Sequence, residues 1–253
     1  MLVGDNVELK KDDFSSNYVI TKVLPRKNEL IRPKVSNIDQ LLIVISALPK
    51  PDLYLVDKLI VNSILNNIKP VLVLNKTDLL SQAEIDAYVN EFLPVVDKII
   101  LTSALNNKNI SELKEVLQDK TSVFAGQSAV GKSSLLNAID DSINQATNIL
   151  SKKVERGKHT TRECTIFVLD KNILIADTPG FSMLELNMKH SELAAFYPEF
   201  ADYTCKFTNC SHTNEQHCNV KNAVEAGDIN KDRYERYLEH FKQLKTKWDK
   251  QYD

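Results

Sequence analysis

A chain of 253 residues, 43% hydrophobic and 26% charged, is long enough for one large domain or two to three small ones, with a sizeable core. A formal net charge of −2 excludes a globally basic nucleic-acid binder, so any RNA contact has to come from local patches. No run approaches the roughly 18 apolar residues of a membrane span, and Met1-Leu2-Val3-Gly4-Asp5 is no secretory leader, so a soluble, cytoplasmic protein is expected.

Residues 6–9 and 18–24 read as two short strands around a polar stretch, too short for an independent domain. Leu24-Pro25 and Arg32-Pro33 mark an irregular linker. From Gln40 the pattern changes to a continuous apolar strand over 40–46, buried on both faces. Helical periods over 53–65, 82–92 and 110–117 then alternate with strands over 71–74, 99–101 and 121–125. This alternation predicts an α/β fold around a doubly wound, mostly parallel sheet.

Asn75-Lys76-Thr77-Asp78 follows the strand 71–74, at the carboxyl end of the sheet where such folds bind ligands. The Asp78 carboxylate can accept from the ring N–H and the exocyclic amine of guanine, a donor pair that adenine lacks. The Asn75 amide suits the opposite edge of the base, and the Lys76 stem can lie over its plane. A plain polar turn uses the same residue types, but Ser103 and Ala104 end the next strand and supply a second loop for a base.

Gly126-Gln127-Ser128-Ala129-Val130-Gly131-Lys132-Ser133-Ser134 stands between the strand 121–125 and a helix beginning near Leu135. Two glycines permit a tight turn whose backbone N–H groups, with the helix N-terminus, hold a polyphosphate. Lys132 reaches the β- and γ-phosphates there, and the Ser133 hydroxyl ligates Mg²⁺. A basic segment over 152–162 contains His159-Thr160-Thr161, whose threonine hydroxyl can complete the Mg²⁺ shell as a switch loop does, or which forms a plain basic loop. Strands over 164–169 and 173–176 follow, the second ending in Asp177-Thr178-Pro179-Gly180. The Asp177 carboxylate would hold Mg²⁺ through water, and the Gly180 N–H would meet the γ-phosphate.

Cys205-x4-Cys210-x-His212-x5-Cys218 offers three thiolates and an imidazole, the donor set of a closed structural Zn²⁺ site, with His217 as a competing ligand. Cys164 lies in a strand pattern and reads as a buried thiol. The tail 230–253 reads as a helix with Tyr234, Tyr237, Leu238, Phe241, Leu244 and Trp248 on one face, an aromatic stripe that reads first as core. The other face, with Lys231, Arg233, Arg236, Lys242, Lys245, Lys247 and Lys250, is either a phosphate-contacting surface or simply solvated.

Together these elements resemble the five motifs of translation-factor-type GTPases. Base-selecting motifs precede the phosphate loop and the switches, which is the chain order of the circularly permuted GTPases. Within that group the chain resembles the RsgA family, on Leu24-Pro25-Arg26-Lys27-Asn28-Glu29-Leu30, Asn37-Ile38-Asp39-Gln40, Lys158-His159-Thr160-Thr161 and the cysteine cluster. The resemblance implies a partial N-terminal OB-fold over 1–35, a permuted GTPase domain over 36–186 and a helical zinc-binding domain over 187–253. It implies GTP or GDP, Mg²⁺ and one structural Zn²⁺ as ligands, and its cysteine pattern selects His212 over His217. The implied function is GTP hydrolysis by a monomer that serves late assembly of the small ribosomal subunit and contacts its rRNA, with no DNA or membrane partner. A loop rearrangement that moves the zinc domain would link the two activities. Ala129 stands where the family usually has glycine, at a position read as permissive, and Phe181 where many GTPases carry a water-orienting glutamine. His159 is the candidate to orient and deprotonate water instead, beside Lys132 and Thr161 as catalytic residues. The alternatives are a guanine-nucleotide switch with little turnover, a large-subunit assembly factor and an adenine-specific P-loop enzyme.

Overall fold

A computed structural model describes residues 1–12, 15–30, 34–140, 165–170, 172–177 and 185–252. Strands β1 (Val7–Lys11) and β2 (Tyr18–Val23) form an antiparallel ribbon, and β3 (Glu29–Leu30) pairs with β4 (Val35–Ser36). The segment between the ribbon and β3 is held by side chains. Arg26 donates to Asp5 and Glu29, while the Asn28 amide spans the N–H and C=O of Ile38, at 2.8 Å each.

The central sheet contains β5 (Gln40–Ser46), β6 (Lys69–Asn75), β7 (Lys98–Leu101), β8 (Lys120–Ala125), β9 (Thr165–Asp170) and β10 (Ile173–Asp177), in the order β7-β6-β5-β8-β10-β9. All pairs are parallel except the β10–β9 edge. The order reverses between β5 and β8, so the loop after β8 opens at a topological switch point. Helices α1 (Leu53–Leu65), α2 (Gln82–Phe92) and α3 (Ile110–Leu117) fall where the apolar period places them. Asp52 caps α1 by accepting from the Leu55 N–H at 3.0 Å, and Ser81 and Glu84 form a capping box on α2. Helix α4 (Lys132–Ile139) starts nearly a turn before Leu135, because the phosphate loop runs directly into it.

Strand alternation divides the core. Leu41, Ile43, Ile45, Leu72 and Leu74 pack on α1 and α2, whereas Leu42, Val44, Val71 and Val73 pack on α3 and α4. A third cluster joins Leu193, Tyr197 and Phe200 to α5 (Asn219–Ala226) and α6 (Lys231–Tyr252), and it includes Val61 of α1.

Tyr234, Tyr237 and Leu244 of the aromatic stripe are buried as expected. The basic face is corrected at two positions. Arg233 is buried and donates to Asp57 of α1 and to Glu199; Arg236 donates to the other Asp57 oxygen at 2.6 Å and to Glu91 of α2. These arginines neutralise carboxylates within the protein, which leaves Lys231, Lys242, Lys245, Lys247 and Lys250 exposed on the helix. Among the described residues no helix is long and apolar enough to cross a membrane.

Candidate nucleotide site and metal cluster

The loop after β8 folds as its glycines require. Gly126 has φ +137°, and a Cβ there would lie 2.2 Å from the Val44 carbonyl oxygen; Gly131, at φ +95°, would collide with the Asn75 amide at 2.3 Å. Lys132 bends back over the loop and donates to the Gly126 and Gln127 carbonyls at 2.8 and 2.7 Å. Ser133 is exposed in the first turn of α4, so its hydroxyl is accessible to a cation. The Gln127 side chain accepts from the Asp52 N–H at 3.0 Å, which fastens the loop to the start of α1.

Asn75 is the joint between the Gly126–Ser134 loop and the loops that follow β6 and β7. Buried at the end of β6, its amide nitrogen donates to the Val130 carbonyl at 3.0 Å, and its oxygen accepts from the Ala104 N–H at 3.1 Å and the Thr102 hydroxyl at 3.3 Å. Only one amide hydrogen is left for a base, so the residue expected mainly to read guanine is first a brace. Lys76, in the left-handed region at φ +59°, clasps the Ala129 and Leu48 carbonyls at 2.8 and 2.6 Å. Thr77 donates to the Thr102 carbonyl at 3.0 Å, which ties the Asp78 turn to the Ser103 loop. A cleft of about 520 Å³ opens between Lys76, Asp78, Ala104, Leu105 and Ser134, with the Asp78 carboxylate exposed in it.

His159, Thr160, Thr161, Gly180, Phe181 and Cys164 lie outside the described residues, as does the side chain of Asp177. The candidate site as described is therefore the cleft beside Asp78 and the Gly126–Ser134 loop.

The cysteine cluster assembles from one loop and a helix end. Ligand atoms of Cys205, Cys210, His212 and Cys218 all lie within 4.8 Å of one another. The Cys205–Cys218 sulfur separation is 3.7 Å, and His212 Nδ1 lies 3.5 and 3.3 Å from those sulfurs. Zinc–sulfur bonds of about 2.3 Å in a tetrahedron require edges of roughly 3.8 Å, so the donor set fits Zn²⁺. His217 is exposed and outside the group. Burial pushes the Cys210 thiol up to about 12 and raises Cys218 as well. Against burial, N–H groups of Val220 and Asn219, at the α5 N-terminus, lower Cys205. A divalent cation would hold all three as thiolates. The Tyr234 and Tyr237 hydroxyls donate to the His212 and Ser211 carbonyls and so dock this loop on α6.

A sequence profile described as RsgA GTPase matches residues 23–187. The small ribosomal subunit biogenesis GTPase RsgA of Caldanaerobacter subterraneus subsp. tengcongensis is 40% identical over 255 residues, covering 99% of this chain and 86% of that protein. The chain belongs to the RsgA GTPase family. The protein of the same name from Halalkalibacterium halodurans is 39% identical, covering 97% and 85% of the two chains. The crystal structure of YjeQ from Thermotoga maritima superposes with a TM-score of 0.84 at 37% identity, over 96% of this chain and 84% of that one. The crystal structure of YloQ, a circularly permuted GTPase, gives 0.80 at 34% identity over 98% and 82%. The chain is thus a GTP-hydrolysing enzyme with a circularly permuted GTPase fold and a Cys₃His cluster compatible with zinc.

One position in the loop carries a cost. Ala129, expected at a permissive position, has φ +64°, where a Cβ crowds the following carbonyl. Ala129→Gly is expected to stabilise the fold by roughly 0.5–1 kcal/mol, the relieved strain less the extra freedom of the unfolded chain. Thermal unfolding checks this, and an unchanged or lower midpoint would show the loop unstrained.

Proposed function

We propose that this chain is a Mg²⁺-dependent GTP hydrolase that matures the small ribosomal subunit and contacts its rRNA, as a cytoplasmic monomer without DNA or membrane partners. The observation that carries the reading is the Asn75 brace, which sets the base cleft and phosphate loop in one rigid frame. In this reading Asp78 selects guanine, with Asn75, Lys76, Ser103 and Ala104 around the base. Lys132 offsets developing phosphate charge, and Gly126–Ser134 supplies the cradle. Ser133 and Thr161 would hold Mg²⁺, with Asp177 in support, and the cation would offset the charge that develops on the phosphate during transfer. Residues 1–35 act as part of an OB-type module, 36–186 as the GTPase domain and 187–253 as the zinc-binding domain.

The buried ion pairs from α6 to α1 and α2 favour signalling through loops over a swing of the whole zinc domain, because a swing would break them. His159 orients the attacking water, so His159→Ala should lower stimulated kcat and leave GTP affinity intact. Full turnover by that variant would remove His159 from the mechanism. The function as a whole is tested by steady-state GTP hydrolysis, alone and with purified small ribosomal subunits at matched salt. Strong stimulation is expected; its absence, with nucleotide binding intact, would leave a guanine-nucleotide switch with little turnover.

A further inference from the structure

We propose that the loop between Cys205 and Cys210 is a stacking platform for one unpaired RNA base, with Phe207 as the stacking residue and the adjoining cleft as the pocket for the base edge. The inference rests on the rRNA contact proposed above and names the residues that make it.

Phe207 is 50% exposed although it sits between two residues of the Cys₃His cluster, in a turn closed by a Cys210 N–H bond to the Phe207 carbonyl at 3.2 Å. The ring contributes little to the core, and its position is set by the loop. The Lys206 ammonium lies 6.0 Å from the ring centroid, so a cation and an exposed aromatic face are presented together. That pairing suits a base on the ring with its phosphate beside the lysine.

The next two residues line a cleft of about 570 Å³. Thr208 and Asn209 form part of its wall, and His190, Ser191 and the Phe241 ring form another part. His190 packs its ring edge-on to Phe241 at 5.1 Å, and its buried Nδ1 has no hydrogen-bond partner. The Thr208 hydroxyl and the Asn209 amide can each donate and accept, as the edge of a nucleobase requires; an apolar peptide side chain would leave them unpaired. Glu215 also borders the cleft, but its oxygens accept from Ser211 and Thr213 within the loop.

The test uses the full zinc-loaded chain and a fluorescein-labelled, unstructured single-stranded RNA oligonucleotide, followed by anisotropy. Phe207→Ala is expected to weaken binding about 5- to 150-fold, and Phe207→Trp to preserve it. Lys206→Ala should reduce the salt slope by about one. GDP affinity, measured on each variant, should not change, which separates lost stacking from lost folding. Equal binding by wild type and Phe207→Ala, or equal binding of duplex RNA irrespective of Phe207, would overturn the proposal. Co-sedimentation with small ribosomal subunits separates the two readings. Subunits retained equally by wild type and Phe207→Ala would sink the platform alone, whereas no retention of wild type would sink the ribosomal reading and leave the oligonucleotide result to decide the platform.

Discussion

Asp57→Ala is expected to destabilise the folded chain by about 3–5 kcal/mol, although Asp57 belongs to neither the nucleotide cleft nor the metal cluster. Its two oxygens take Arg233 and Arg236, and both Asp57 and Arg233 are almost completely buried. Removing the carboxylate leaves Arg233 with Glu199 alone, at a place where water cannot replace the lost partner. The change can be read from the urea midpoint followed by the fluorescence of Trp248, the chain's single tryptophan, which lies on α6. A second variant guards the interpretation: Asp57→Leu combined with Arg233→Met and Glu199→Gln removes the paired charges together and should recover part of the loss. A single-variant cost below about 1 kcal/mol, the worth of an exposed pair, would mean that the pair is solvated.

Asp78→Ala should weaken guanine-nucleotide binding by about 100-fold or more. A carboxylate that accepts two donors from one base forms two charge-assisted bonds, each contributing about 1.5–3 kcal/mol. The loss should be selective. Wild type is expected to hold GDP more tightly than the inosine analogue, which lacks the exocyclic amine, and the variant should hardly distinguish them. Because Asp78 is exposed and the brace at Asn75, Thr102 and Ala104 does not use it, the fold should be unaffected. GDP bound equally by the two proteins would place the base outside this cleft.

The parts of the fold visible in the sequence are those fixed by local pattern. Helices α1, α2 and α3 begin and end where the apolar period predicts, because each buries one stripe against the sheet and has polar residues beyond it. The phosphate loop, the Asp78 turn and the cysteine cluster were legible because their chemistry demands particular residue types at short spacing. The same reasoning misplaced Arg233 and Arg236, since the 3.6-residue period shows only which face they share, and their carboxylate partners come from α1, α2 and the Pro198–Phe200 turn. The second function of Asn75 was hidden for a similar reason. Its partners Val130 and Ala104 belong to other loops, and only the register of β6 beside β5 and β7 brings them within reach. The strain at Ala129 was invisible because the permissive reading concerned the residue types that the phosphate-loop pattern allows, whereas the cost lies in the backbone angle.

The Asp57–Arg233 pair spans 176 residues of sequence, nearly the whole length of the chain beyond α1. On a ribosome making this protein, α1 and the first half of the sheet emerge long before α6, so Asp57 has to wait as an exposed carboxylate on an incompletely covered helix. Closing so distant a contact carries a large entropic cost, which places the pairing late in folding. Helix α6 therefore closes over α1 late: a chain released before Arg233 is added keeps the Asp78 and Gly126–Ser134 loops and lacks the partner that neutralises Asp57.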